Sequence, residues 1–429
     1  MKLDYKKTIF VGFAFLTICT FWQMYDNEIP LILEHTFNLS ATVIGVVMAL
    51  DNVLAVFMLP FFGALSDKVD TKRGKRTPFI LVGTIAAAVL LVLLALANEW
   101  KSLPLFIVIL LLLLVAMGSY RSPAVSLMPD VTPKPLRSKA NAVINLMGTV
   151  GAIIALVLIP LLVSKGTNPS YLPLFTAVAL VMLLGLAVLL KTVDENKLRA
   201  EREQIDLQTG ADQQESSKTD AKGHLAPEVR RSLMFLLAAV ACWFFAYNAV
   251  TTAFSRYYQD YWGLADKGYT RCLMVGTIAA VIAYIPAGAL ASKLGRKKTI
   301  IAGVVILGCS FLAGCAFSHY TFAINVVFAT VGIGWAMINV NSYPMVVEMS
   351  QGSDIGKFTG FYYTASMAAQ VVTPILSGFL IDRIGYQSLF PYATLFAVIA
   401  LLLVMQVRHG DSKPAKPASK LDSFADHDN

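Results

Sequence analysis

Asp26, Asp51 and Arg121 stand in stretches otherwise built of hydrocarbon: FWQMYDNEIP (21–30), ALDNVLA (49–55) and YRSPAV (120–125). An ionisable group inside a bilayer costs roughly 3 kcal/mol on insertion scales, so each marks a functional position by default. The chemistry on offer is proton exchange. Burial favours the neutral form of a carboxyl, and a neighbouring guanidinium favours the charged one. A carboxyl held between those influences can load and unload a proton. The five histidines all lie in loops or tails, so Asp51 and Asp26 are the candidate carriers and Arg121 their partner. Asp51 lies ten residues into its stretch, about 15 Å at helical rise, which is mid-bilayer depth. Asp26 falls in the outer half. Glu28 is expected to face an outer vestibule.

A second set is neutral and hydrogen-bonding: Trp22, Gln23, Tyr25, Asn52, Asn145, Trp243, Tyr247, Asn248, Trp335, Asn339, Asn341, Tyr362, Tyr363 and Gln370. Amides and flat aromatic faces in an apolar cavity suit a polyol better than a phosphate or a cationic drug. The same residue types also glue membrane helices together. Tyr257, Tyr258, Tyr261 and Trp262 are expected to form an aromatic belt at the outer interface.

The elements that carry these residues follow from composition. Of 429 residues, 56% are hydrophobic and only 14% charged, far below the roughly 25% charged residues of soluble domains. A span of the bilayer takes about 20 apolar residues as helix. Twelve such stretches occur, at 9–33, 41–65, 78–97, 103–128, 137–163, 172–191, 231–254, 271–292, 299–317, 321–347, 357–381 and 389–407. The first is long and lacks a small-residue cleavage site, so it reads as a span and not as a signal peptide. Threading all twelve from a cytoplasmic N-terminus puts 28 Lys/Arg in cytoplasmic segments and five outside. This is the positive-inside pattern. It accounts for the net charge of +8 without nucleic acid, and predicts both termini in the cytoplasm. The five cysteines have no metal-ligand spacing. No phosphate-binding G-x-x-x-x-G-K-[ST] loop and no H-E-x-x-H is present, which argues against an ATP-driven pump or a metalloprotease. No catalytic site, metal or cofactor is expected.

The polar segment 192–230 divides the stretches six and six, with ENKLRAEREQ expected as a surface helix. The predicted organisation is a six-helix bundle at 1–191, a cytoplasmic linker at 192–230, a second bundle at 231–408 and a disordered tail at 409–429. The halves repeat. GALSDK (63–68) answers GALASK (288–293), and RSPAVSLMPD (121–130) answers NSYPMVVEMS (341–350). Such a duplication implies parallel repeats with substrate between them. In NLMGTVGA (145–152), Gly148 and Gly151 allow close approach of a neighbouring helix.

At these repeats the chain resembles the major facilitator superfamily, through the G-x-x-x-D-[RK]-x-G-[RK]-[RK] loop after the second span and its echo after the eighth. Gly63 and Gly74 are eleven residues apart, Gly288 and Gly295 seven. The longer first copy, ending in RGKRTPFI, resembles the glycoside–pentoside–hexuronide:cation symporters, and more closely the sucrose-transporter and solute carrier 45 branch. The resemblance implies an all-α membrane protein of twelve transmembrane helices in two six-helix repeats. It also implies a cytoplasmic gate. Asp67 would cap or pair at a neighbouring helix end, Arg73 and Arg76 would reach Asp130, and Lys293 and Arg296 would face Glu348. Ser292 stands where the first copy has Asp67, so the second latch should be weaker. The two acids of the melibiose-type sodium site fall at Ala55 and Leu59, which offer no oxygen ligands, so H⁺ is expected over Na⁺.

The expected activity is proton-coupled uptake of a sugar, a di- or oligosaccharide such as a sucrose- or maltose-like glycoside, by a monomer in the plasma membrane. A drug or metabolite efflux antiporter of the same fold and a transport-inactive sugar sensor are the alternatives.

Overall fold

The computed structural model describes residues 3–133, 136–164, 169–209, 227–349 and 355–411. The centre of the linker and the tail beyond Asp411 lie outside the described residues, and so does the disorder expected of them. The chain is an all-α membrane protein. Twelve described helices are long and apolar enough to span a bilayer: α1 (Tyr5–His35), α2 (Ala41–Lys68), α3 (Thr77–Glu99), α4 (Leu103–Val131), α5 (Arg137–Leu162), α6 (Leu172–Thr192), α8 (Pro227–Arg256), α9 (Tyr269–Leu294), α10 (Arg296–Gly314), α11 (Ile324–Glu348), α12 (Ile355–Ile384) and α13 (Leu389–Gln406). The polar α7 (Glu195–Thr209) follows the sixth span. It is the helix expected from ENKLRAEREQ, starting at the same residue, Glu195, and running five residues past Gln204.

Starts and stops follow local chemistry. Asp4 caps α1 by accepting from the Lys7 N–H at 3.1 Å. Pro sits in the first turn of α3, α4 and α6, where its missing N–H would have no helical partner anyway. Beyond Arg256, the backbone of Tyr257–Tyr261 continues α8 as a π-helical turn.

The chain forms two compact units. Unit 1 comprises Met1–Leu39, Leu50–Asp212 and Ala265–Thr270; unit 2 comprises the remainder. In unit 1, α1 packs on α5 and α6, and α3 packs on α4 and α6. The α1–α5 contact uses the small residues anticipated there. A Cβ on Gly151 would meet the Leu16 carbonyl oxygen at 2.2 Å, and one on Gly148 would meet Cys19 Sγ at 2.9 Å. Thr20 Oγ1 donates to the Gly151 carbonyl across the same contact, at 3.0 Å.

In unit 2, α8 packs on α12 and α13, and α10 on α11 and α13. Asp382 caps the first turn of α2, accepting from the N–H groups of Ala41 and Thr42 at 2.8 Å each. Ser40–Ala49 groups with unit 2, held there by this carboxylate and by close backbone packing of Gly45 on Pro374 and of Gly378 on Ala41. The expected aromatic belt is corrected: Tyr257, Tyr258 and Trp262 are buried. Trp262 Nε1 and the Tyr257 hydroxyl both donate to the Phe317 carbonyl, at 3.1 and 3.3 Å. Packing against Phe254 and Tyr320 gives these rings more buried area than an interfacial position would.

Candidate functional site

Within unit 1, α1, α2 and α4 bring Asp26, Asp51 and Arg121 within electrostatic reach of one another. All three side chains are half-buried. Arg121 lies over the Trp22 ring, 5.5 Å from its centroid, a cation–π contact that holds the guanidinium beside α1. Asp51 Oδ1 accepts from the Asn52 backbone N–H at 2.6 Å and from Asn52 Nδ2 at 2.8 Å. Asn52 thus helps to orient Asp51. The ranking of Asp51 over Asp26 by depth does not separate them here, because Arg121 acts on both.

Among the described residues, the buried polar atoms of unit 1 without a hydrogen-bond partner include Trp22 Nε1 and the Tyr25 hydroxyl, on the same helix as Asp26, and both amide atoms of Asn145 on α5. Tyr25 is fully buried and Asn145 only 9% exposed. Burying a polar group unpaired costs free energy, so these atoms are available to hydrogen-bond a solute. Gln23 is half-buried beside them in sequence.

In unit 2, Trp335 stacks face to face on Tyr247, with centroids 3.7 Å apart and planes within 6°. Trp243 Nε1 and Asn248 Nδ2 are buried without hydrogen-bond partners among the described residues. Other candidates have hydrogen-bond partners within the bundle or are buried in it. Asn341 Nδ2 donates to the Met337 carbonyl one turn back at 2.9 Å. The Tyr362 hydroxyl pairs with Ser342 Oγ at 3.0 Å, and Gln370 Nε2 with the Ser366 carbonyl at 3.5 Å. Asn339 is buried, 7% exposed.

The basic loop between α2 and α3 converges on one residue. Arg76 Nε donates to Asp130 at 2.7 Å. Its Nη2 pairs with Asp67, and its Nη1 donates to Ser66 Oγ and, at 3.3 Å, to the Gly63 carbonyl. Burial disfavours the charge on Arg76, but the hydrogen bonds and charges of Asp130 and Asp67 outweigh it and hold the guanidinium above its ordinary pKa. The expectation for Arg73 is corrected. Its side chain is exposed and makes no ion pair among the described residues, and its backbone N–H is part of the Thr71–Gly74 turn, donating to Thr71 Oγ1 at 3.2 Å. In unit 2, Arg296 Nη2 pairs with Glu348 at 2.9 Å. Lys293 is likewise corrected: it is exposed, with no ion pair among the described residues.

Three features were missed in the sequence. Glu28 does not face a vestibule: it is 0% exposed, pairs with Lys267 at 3.3 Å and accepts from the Tyr269 hydroxyl. Lys267 and Tyr269 lie in the short segment that groups with unit 1. Glu195, the second missed acid, is buried against the α2–α3 loop; the glycine and proline of RGKRTP, marking an open helix start, were its only signal. Asp411, in the tail, accepts from the Lys297 N–H at 2.8 Å.

The sequence profile described as Major Facilitator Superfamily matches residues 11–277 and 262–425. The chain belongs to the major facilitator superfamily. It is similar to a putative glycoside/cation symporter, YagG, of Escherichia coli (strain K12), 23% identical over 336 residues, covering 75% of this chain and 71% of the relative. It is also similar to the class H tetracycline resistance protein of Pasteurella multocida, 25% identical over 353 residues and covering 80% of each. Among solved structures, the nucleoside transporter NupG (D323A mutant) superposes with a TM-score of 0.69 over 94% of this chain and 99% of its own, at 14% identity. That likeness is one of fold.

Proposed function

We propose that this superfamily member imports a neutral sugar, a di- or oligosaccharide glycoside, together with a proton, by alternating access. The observation that carries the reading is the Asp26–Asp51–Arg121 cluster, with the unpaired Trp22 and Tyr25 groups on α1 and those of Asn145 on α5 of the same unit. A carboxyl pair sharing one cation in low dielectric cannot stay doubly charged without penalty. Proton uptake relieves that repulsion and changes what the neighbouring donors face. A proton and a sugar that both favour the same state then move together, since a ligand shifts an equilibrium only by differential affinity. Within unit 2, the Trp335–Tyr247 stack is by itself a flat apolar platform of the kind sugar rings use. The similarity to a putative glycoside/cation symporter supports the substrate class. The protein works as a monomer in the plasma membrane with both termini in the cytoplasm, the side to which the Lys/Arg-rich segments point.

The similarity to a tetracycline resistance protein supports a second reading, proton-driven efflux. Proteoliposome uptake of labelled sucrose, maltose and other glycosides separates the two. Accumulation that follows an imposed inward proton gradient and collapses with a protonophore supports import. Na⁺-driven accumulation removes the proton, and gradient-driven extrusion of tetracycline with no glycoside uptake replaces import with efflux.

A further inference from the structure

The basic loop between α2 and α3 is a receptor for an acid supplied by the chain itself. Glu195, the first residue of α7, is only 1% exposed. Its carboxylate accepts from the backbone N–H groups of Lys75 at 2.7 Å, Arg76 at 3.0 Å and Thr77 at 2.9 Å. It also accepts from Thr77 Oγ1 at 2.7 Å. These are the N–H groups that the start of α3 leaves open, and the helix dipole favours an anion there. The turn is shaped for it. Gly74 has φ +106°, and a Cβ there would lie 2.2 Å from the Glu195 carboxyl carbon. Thr71 Oγ1 closes the turn on the Gly74 carbonyl at 2.7 Å, and Asn196 Nδ2 donates to the Thr71 and Lys72 carbonyls at 3.0 and 3.2 Å. Farther along α7, Glu201 pairs with Lys7 at 3.0 Å.

The residue at the centre of this cradle is Arg76. Its backbone binds Glu195 while its guanidinium binds Asp67 and Asp130. Unit 2 repeats the arrangement. Gly295 has φ +96°, the Lys297 N–H donates to Asp411 at 2.8 Å, and Arg296 pairs with Glu348. Asp411 follows the last span as Glu195 follows the sixth. Arg408 N–H donates to Ser232 Oγ at 3.2 Å and His409 Nδ1 contacts the same oxygen at 2.9 Å, seating this returning segment.

We propose that Glu195 is a positioning residue for the Arg76 ion-pair cluster, docking α7 on the α2–α3 loop, and that Asp411 is its weaker counterpart in unit 2. Each six-helix repeat thus ends in an acid that folds back onto the start of its own third helix. In the transporter, Glu195 therefore acts on the gate residue Arg76 directly and Asp411 on the residue next to Arg296; that last step rests on the alternating-access reading, whereas the docking does not.

Two measurements on the full-length protein in detergent test the proposal without any solute. The first is limited trypsin cleavage at Lys197, Arg199 and Arg202 in α7. Glu195→Gln keeps the shape but removes the charge from a buried acceptor, and should speed cleavage about tenfold, since charged hydrogen bonds are the strong ones. Glu195→Asp, which keeps the carboxylate, should stay closer to the parent. The second is maleimide labelling of the thiol introduced by Ser66→Cys, in a background with the five native cysteines replaced by serine. Ser66 is fully buried under Arg76, so labelling reports whether Arg76 has left its place. It should rise with Glu195→Gln and not with Glu195→Asp. Unchanged cleavage in Glu195→Gln overturns the docking role. Faster cleavage with unchanged labelling overturns the positioning role.

Discussion

Lys267 Nζ reaches Glu28 at 3.3 Å across 239 residues of sequence, with both side chains almost wholly buried. The lysine also lies 5.4 Å from the Tyr171 ring centroid and 5.8 Å from that of Tyr269. Truncating one partner of a buried pair leaves an uncompensated charge and costs on the order of 3–5 kcal/mol, whereas removing both together costs far less. Glu28→Gln and Lys267→Met should each lower the thermal unfolding midpoint in detergent, and the double variant should fall less than the sum. Additive losses would mean that the two groups do not depend on each other.

The Asp26–Asp51–Arg121 cluster predicts a split between coupled and uncoupled transport. Asp51→Asn keeps the side-chain shape and an acceptor for the Asn52 N–H, but cannot carry a proton. A gradient of about one pH unit supports up to about tenfold accumulation for one proton per solute. Asp51→Asn and Asp26→Asn should each bring that ratio down to simple equilibration, with solute exchange across the membrane preserved. Accumulation that survives both substitutions would place coupling elsewhere.

Arg76 and Arg73 are three residues apart in one basic loop, and the structure separates them. Arg76 uses three guanidinium nitrogens on Asp130, Asp67 and Ser66; lysine offers one compact charge and cannot reproduce the fork. Arg76→Lys should cost on the order of 2–4 kcal/mol of stability, from two or more lost charge-assisted bonds in a buried setting. Arg73→Lys, at an exposed site, should stay within about 0.5 kcal/mol. Chemical or thermal unfolding of the two variants side by side checks the contrast.

The twelve spans were legible because hydrocarbon length and charge asymmetry are properties of local sequence. Asp26, Asp51 and Arg121 were legible for the same reason: a charge among leucines stands out without knowledge of its neighbours. Glu28 and Glu195 were not, because their roles depend on partners 239 and about 120 positions away. Nothing in the sequence near Glu28 announces Lys267. Glu195 looks like one acid in a run of solvated charge, and only the fold shows that the open N–H groups of α3 take it. Arg73 and Lys293 failed in the opposite direction. The family resemblance assigned them the same task as Arg76 and Arg296, and only the structure shows which side chains are paired and which are exposed.

The Trp335–Tyr247 stack carries the last prediction. One face of Trp335 is occupied by Tyr247, and the residue is half-buried. Aromatic contacts of this kind contribute about 0.5–1.5 kcal/mol beyond area, so Trp335→Ala should weaken binding of a glycoside by up to about tenfold, and Trp335→Phe by less. Tyr247→Phe keeps the ring under Trp335 and should leave affinity near the parent unless its hydroxyl contacts the solute. Tryptophan-fluorescence titration with maltose and with sucrose measures the affinity, and thermal unfolding of the same samples measures packing. Affinity that falls while the unfolding midpoint holds assigns the stack to substrate. An unfolding midpoint that falls while affinity holds assigns it to the interior of unit 2, and the sugar platform must then be sought among the unpaired Trp22, Tyr25 and Asn145 groups of unit 1.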